Sequence, residues 1–251
     1  MGMYMTTTID TTRLSPAGVD GSRQGSKSDP NMAIDPRLWM LVSPALPIGG
    51  YSYSQGLEHA VEAGWVGSAQ DAQDWITDLA QTVLPHIDLP YLCRLYRSLA
   101  AGNSVSFARW NAQLLACRET SELRAEDIGM GEALTRLLRD LDQLPEDFEL
   151  PSTLTLAAAF VLACRAIDAT LETTCTAYAW VWCDNQVAAA VKLVPLGHTQ
   201  GQKILLALAN KTDGMSARAL NCPDNELGYS APGLAIVSAA HESQYSKVFR
   251  S

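Results

Sequence analysis

The sequence is short of the residues that build metal centres and redox scaffolds. It has four histidines and six cysteines in 251 residues, with no CxxC pair and no HExxH or HxH spacing, so a zinc or di-metal active site would have few ligands to draw on. Cys93, Cys117, Cys164, Cys175, Cys183 and Cys222 lie scattered in apolar surroundings, which fits reduced, packed thiols better than a disulfide framework. Basic charge is also scarce. Eighteen Lys and Arg against 27 Asp and Glu leave a net charge of −9, a field that repels phosphate backbones and argues against a nucleic-acid partner. The longest apolar stretches, 154–164 and 174–183, fall far short of the roughly twenty residues that cross a bilayer. The N-terminal residues lack the basic head and apolar run of a secretory signal. A cytoplasmic protein without a membrane partner is expected.

Nucleotide and nucleophile signatures are missing too. Gly197-His198-Thr199-Gln200-Gly201-Gln202-Lys203 has its second glycine one place early for a phosphate loop, and Ile204 follows the lysine where Ser or Thr is required. Gly129-Met130-Gly131 is followed by Leu134 where the dinucleotide fingerprint needs a small residue, and no strand precedes it; chance or close helix packing accounts for it. GxSxG is absent. No cofactor is expected.

What is present is helical. Hydrophobic residues make up 47% and charged residues 18% of the chain, and the apolar ones recur three and four apart with little strict alternation. The expectation is an all-α, single-domain bundle of about eight to ten helices over 35–251. Residues 1–34, rich in Thr, Ser, Gly and Asp, are expected to be a flexible tail. The spacing predicts helices over 52–63, 68–84 with Ser68 and Asp71 as a capping pair, 91–101, a stretch capped by Asn103 or Ser104, and one capped by Ser121. Beyond a turn at 145–151 come 153–166, a central buried helix over 168–193, 199–210, a short piece over 215–220, and 232–240 opened by Pro232.

Three segments are unusual for packing alone. Residues 43–58 frame Tyr51 and Tyr53 with prolines and glycines, which is a stapled helix entry or a binding surface. Residues 118–124 place Arg118, Glu119, Glu122 and Arg124 around a cap, either self-paired in solvent or anchoring an interface. Residues 241–251 combine Tyr245, Phe249 and Arg250 in a stretch with no core of its own, either a frayed end or a tail that docks on a partner. Glu58, His59 and Glu62 are weak candidates for a divalent cation, against a solvated helix face. A hydrolase using Ser52, Ser54 and His59 and a generic helical interaction module are the competing readings.

Taken in order, SPALPIGGYSYSQGLE at 43–58, RETSELR at 118–124 with Met130-Gly131 following, NQVAAAVKLVPLGHTQGQKIL at 185–205 and HESQYSKVFRS at 241–251 resemble the UreF family of urease accessory proteins. The resemblance runs from about Leu38 to the last residue. His198 stands where the family's PLGQT has Gln, and Lys247-Val248 replace its usual Arg-Leu. The resemblance implies an all-helical, non-catalytic chaperone that dimerises, binds UreD (also called UreH), and recruits the nickel-carrying GTPase UreG to apo-urease. It makes Tyr245, Phe249 and Arg250 candidates for the UreD/UreH contact. Tyr51, Tyr53, Gln55, Arg118, Glu119, Glu122 and Arg124 become candidates for the surface that meets UreG or a second copy, with Lys203 a weaker addition. It also implies that residues 234–251 could be removed while the other helices stay folded.

Overall fold

The computed structural model of the chain describes residues 35–251; the tail expected at 1–34 lies outside the described residues. Among these residues there are ten α-helices and no strand: α1 (Pro36–Leu41), α2 (Leu57–Glu62), α3 (Ala69–Thr82), α4 (Leu89–Ala100), α5 (Ser104–Ala116), α6 (Ser121–Asp140), α7 (Leu156–Ala166), α8 (Leu171–Leu193), α9 (His198–Leu220) and α10 (Pro232–Glu242). The all-α expectation holds.

Local chemistry explains most of the boundaries. The Ser68 hydroxyl accepts from the Asp71 N–H, and the Asp71 carboxylate accepts from the Ser68 N–H, a closed capping box at the start of α3. Asn103 caps α5 through the Ser106 N–H. For α6 the capping residue is Thr120, one place before the expected Ser121, because its hydroxyl is the one that accepts from the Leu123 N–H. Around Pro85 and Pro90 the helical path is disturbed but not interrupted. Residues Leu84–Asp88 form a π-helical turn that runs straight into α4, and each proline stands in the first turn of its segment, where no N–H is required.

Two helices differ more. The one expected over 52–63 is split into a 3-10 turn (Gly50–Ser52) and α2, because Gln55 and Gly56 adopt left-handed φ values of 51° and 79°. The pieces expected at 199–210 and 215–220 form one continuous α9. Thr212, Met215, Ser216 and Ala219 carry the buried stripe of Leu208 onward at helical spacing.

α8 and α9 form a hairpin that packs on α4, while α6 pairs with α7 and α5 with α4. α8 was expected to be the central buried helix, yet α7 is the more deeply enclosed. Every α7 residue from Leu156 to Cys164 is buried, whereas α8 leaves one face open.

The 129–131 glycines do serve close packing. A Cβ on Gly131 would stand 2.1 Å from the main-chain oxygen of Leu154, so α6 crosses the start of α7 with backbone against backbone. Gly131→Ala should therefore force these elements apart and lower stability by about 2 kcal/mol, read as a shifted urea midpoint with an unchanged slope.

Candidate functional site

The most polar part of the interior lies where α4, α6, α7 and α8 converge. Arg118, in the link between α5 and α6, donates from Nη2 to Asp88 at 2.5 Å and from Nε to Asp127 at 2.7 Å. Asp88 is 2% exposed and Asp127 4%. The other Asp127 oxygen accepts the Leu156 N–H at 2.7 Å, placing a carboxylate on the free amides that open α7. From α8, the Tyr178 hydroxyl reaches Asp88 at 3.3 Å. Burial alone would lower the Arg118 pKa, but the charges of Asp127 and Asp88 raise it well above its usual value. Burial, then those same carboxylates, hold the Tyr178 phenol well above its own, so it acts as a neutral donor.

A second layer sits beside this one. Gln55 donates to Glu126 at 2.7 Å and accepts from the Trp182 indole at 2.9 Å. Ser251 donates its hydroxyl to the other Glu126 oxygen at 2.8 Å. Burial lifts the Glu126 carboxyl to about 7, against the pull of the hydrogen bonds from Gln55 and Ser251. Both layers apart from Ser251, with Tyr53, Asn185 and Gln186, line a cavity of about 50 Å³. The Gln186 side-chain oxygen is buried there without a hydrogen-bond partner.

A third cluster fixes residues 243–251. Glu58 of α2 accepts the Val248 and Phe249 N–H groups at 2.7 and 2.8 Å. His241 of α10, wholly buried, lies 3.3 Å from Glu58 and 2.7 Å from Glu122 of α6. Lys247 pairs with Glu122 at 2.7 Å. The Ser251 main-chain oxygen accepts from the Ser54 hydroxyl and N–H, and the Arg250 N–H donates to Ser52.

These contacts sort the residues expected to meet partners. Gln55, Arg118, Glu122 and Phe249 face inward, because each satisfies a buried group of its own chain or fills its core. Tyr53 is half-buried on the cavity. Tyr51 is 64% exposed, Tyr245 fully so, and Glu119, Arg124, Lys203 and Arg250 are exposed. Glu119 accepts from Ser230 at 2.7 Å, and Arg124 donates to the Leu115 carbonyl at 3.2 Å. Lys203, on α9, takes no part in these networks.

Three expectations are corrected. Residues 241–251 do have a core role, since Phe249 is 5% exposed and Glu58 depends on their N–H groups; removing 234–251 would also take the buried Val237, Ser238 and His241 out of the core. Glu58 is buried while Glu62 points to solvent and His59 packs edge-on against Trp65, so the three share no face. Among the described residues no group of three His, Cys, Asp or Glu is placed to hold a metal ion. The Ser54 hydroxyl donates to the Ser251 main-chain oxygen, and among the described residues no hydrogen bond joins Ser52 or Ser54 to His59.

Reasoning from sequence missed Asp88, Glu126, Asp127, Tyr178, Trp182 and His241. A signal was available for Asp127, which falls on the apolar stripe of Leu123, Met130 and Leu134 where a lone carboxylate must be paired.

A family model described as UreF matches residues 66–209. The urease accessory protein UreF of Alkalilimnicola ehrlichii is 46% identical over 231 residues, covering 90% of this chain and 99% of the relative. That of Teredinibacter turnerae is 45% identical over 214 residues, covering 85% and 97%. That of Chromohalobacter salexigens is 42% identical, covering 85% and 93%.

Two outcomes follow from the polar interior. Arg118→Gln strands two buried carboxylates and should cost about 3–5 kcal/mol; an unchanged urea midpoint would contradict the arrangement. Glu126 has a raised folded-state pKa, so its contribution is full below about 4.5 and is lost as the pH rises through about 7. Between pH 5 and 8 the native chain should lose on the order of 2 kcal/mol relative to Glu126→Gln, measured as urea midpoints across that range.

Proposed function

The chain belongs to the UreF family, and we propose that it serves urease maturation as a non-catalytic adaptor: a cytoplasmic homodimer that binds UreD/UreH and recruits the nickel-carrying GTPase UreG to apo-urease. Nickel on this reading is cargo held by UreG, and GTP hydrolysis belongs to that partner. The membership supports a part in urease maturation, and no helix among the described residues is long and apolar enough to cross a membrane.

The observation that carries the adaptor reading is the outer face of residues 245–250. The stretch 248–251 alternates: Phe249 and Ser251 are buried while Val248 and Arg250 are exposed, and Tyr245 stands out fully. Lys192 of α8 lies 5.6 Å from the Tyr51 ring and 5.4 Å from the Phe249 ring, so Tyr51 continues the same surface. Exposed tyrosines with arginine and lysine, held by a buried anchor, form a pre-ordered patch of the type that carries binding energy. Tyr245 and Arg250 supply the UreD/UreH contact from this patch. Glu119 and Arg124 supply contacts to UreG or the second copy, while Arg118, Glu122 and Gln55 hold that surface from beneath. No observation favours the hydrolase reading.

The test is co-expression with tagged UreD/UreH and UreG, followed by size-exclusion chromatography with light scattering. A dimer that gathers both partners into one complex is expected, and a lone species ignoring both would overturn the adaptor reading. Tyr245→Ala and Arg250→Ala should each weaken UreD/UreH binding about tenfold or more with the unfolding midpoint unchanged. Arg124→Ala should lower UreG recruitment by about 1 kcal/mol or more in a titration.

A further inference from the structure

Cys93 of α4 and Cys175 of α8 meet with their sulfurs 3.6 Å apart, and neither side chain is exposed. The chain's other four cysteines are free as well, but no contact between sulfurs joins them in the described residues. The pair lies beside the polar interior: Cys93 is five residues beyond Asp88, and Cys175 is three before Tyr178, whose hydroxyl reaches Asp88. The helix of one thiol continues the π-helical turn that carries Asp88, and the helix of the other carries Tyr178, so both border one edge of the Arg118 network.

We propose that Cys93 and Cys175 are a peroxide-responsive thiol pair that closes to a disulfide and locks α4 to α8. The sulfurs are already in van der Waals contact, and closing to a bond of about 2.05 Å requires an approach of about one and a half ångströms. The two thiols are unequal. The hydrogen bond with Cys175, with help from the charges of Arg97 and Arg94, holds Cys93 below the usual thiol range against the effect of burial. Cys175 is pushed upward by the same hydrogen bond and by burial. The positive charges of Arg97 and Arg94 beside Cys93 favour its thiolate, which makes Cys93 the nucleophile and Cys175 the resolving thiol.

The chemistry balances with a hydroperoxide as oxidant. The Cys93 thiolate attacks one peroxide oxygen, the O–O bond breaks, and the departing hydroxide takes up the thiol's proton as water. Sulfur is oxidised by two electrons to the sulfenic acid and the peroxide is reduced. The Cys175 sulfur then attacks Cys93, the S–O bond breaks, and a second water leaves with the Cys175 proton. Hydrogen peroxide is small and uncharged, the class of oxidant whose entry to a closed helix contact needs the least opening. A thiol reductant returns the pair.

The test uses the full chain, folded and reduced, exposed to hydrogen peroxide, then denatured, alkylated and mapped by mass spectrometry. The expected product is a peptide pair joined through Cys93 and Cys175. It should survive in a Cys117→Ser, Cys222→Ser double variant and be lost in Cys93→Ser. In Cys175→Ala, Cys93 should stop at the sulfenic acid and be labelled by dimedone. The oxidised chain should unfold at a higher temperature than the reduced one, since the bond closes a loop of 82 positions. Full alkylation of both thiols after peroxide treatment would overturn the proposal, as would a link that forms only in denaturant or a lower unfolding temperature on oxidation. The wild-type mapping decides the matter even where a variant fails to fold.

Discussion

A guanidinium enclosed in a helical bundle must be answered by negative charge from several directions at once, and the position of Arg118 imposes that demand on the whole fold. Asp88 answers from the π-helical turn before α4, Asp127 from α6, and Tyr178 of α8 completes the shell of Asp88. The second oxygen of Asp127 holds the first turn of α7. Four helices are thereby fixed relative to one charge. Such an arrangement is weak as a source of net stability, because removing these charges from water costs about as much as their attraction returns. Its effect is selective: an alternative packing that moves any of the four helices leaves a buried ion alone.

The same logic explains why the outer surface is ordered. Glu58 cannot remain buried without donors, and the donors are the main-chain N–H groups of Val248 and Phe249. Satisfying that carboxylate holds Phe249 inward beside α2, and Val248 and Arg250 on either side of it face outward. Internal electrostatics thus decide which side chains a partner meets.

Helix identity was legible because local signals and the apolar period agree. The Ser68–Asp71 box, the Asn103 cap and the long stripe of α8 all act within a few residues of chain. What could not be read arises from contacts across long separations. The bend at Gln55 and Gly56 makes sense only with Val237 and Ser238 of α10 packed against Gly56, where a Cβ would come within 2.6 Å of Val237. The continuity of α9 past Gly214 depends on burial of Met215 and Ala219 against other helices. In the candidate site, residue types drew attention to Arg118 and Glu122, but their direction was misjudged. An Arg or Glu at a helix start is solvated by default, and only the placement of Asp88 and His241 from distant segments makes the inward rotamers favourable. Asp127 was the exception, marked by its own helix stripe.

Glu58 and the two N–H groups it accepts are 190 and 191 positions apart in sequence. A chain emerging from the ribosome therefore has α2 in hand long before the N–H groups that answer its buried carboxylate, and this corner closes only after residues 248 and 249 have emerged. Contacts of such separation close slowly, since loop entropy is lost before they form. Until then Phe249 and Ser251 are absent from their places, and the patch carrying Tyr51, Tyr245 and Arg250 is not yet assembled. The fold thereby withholds its outer face until residues 245–251 are out and in place.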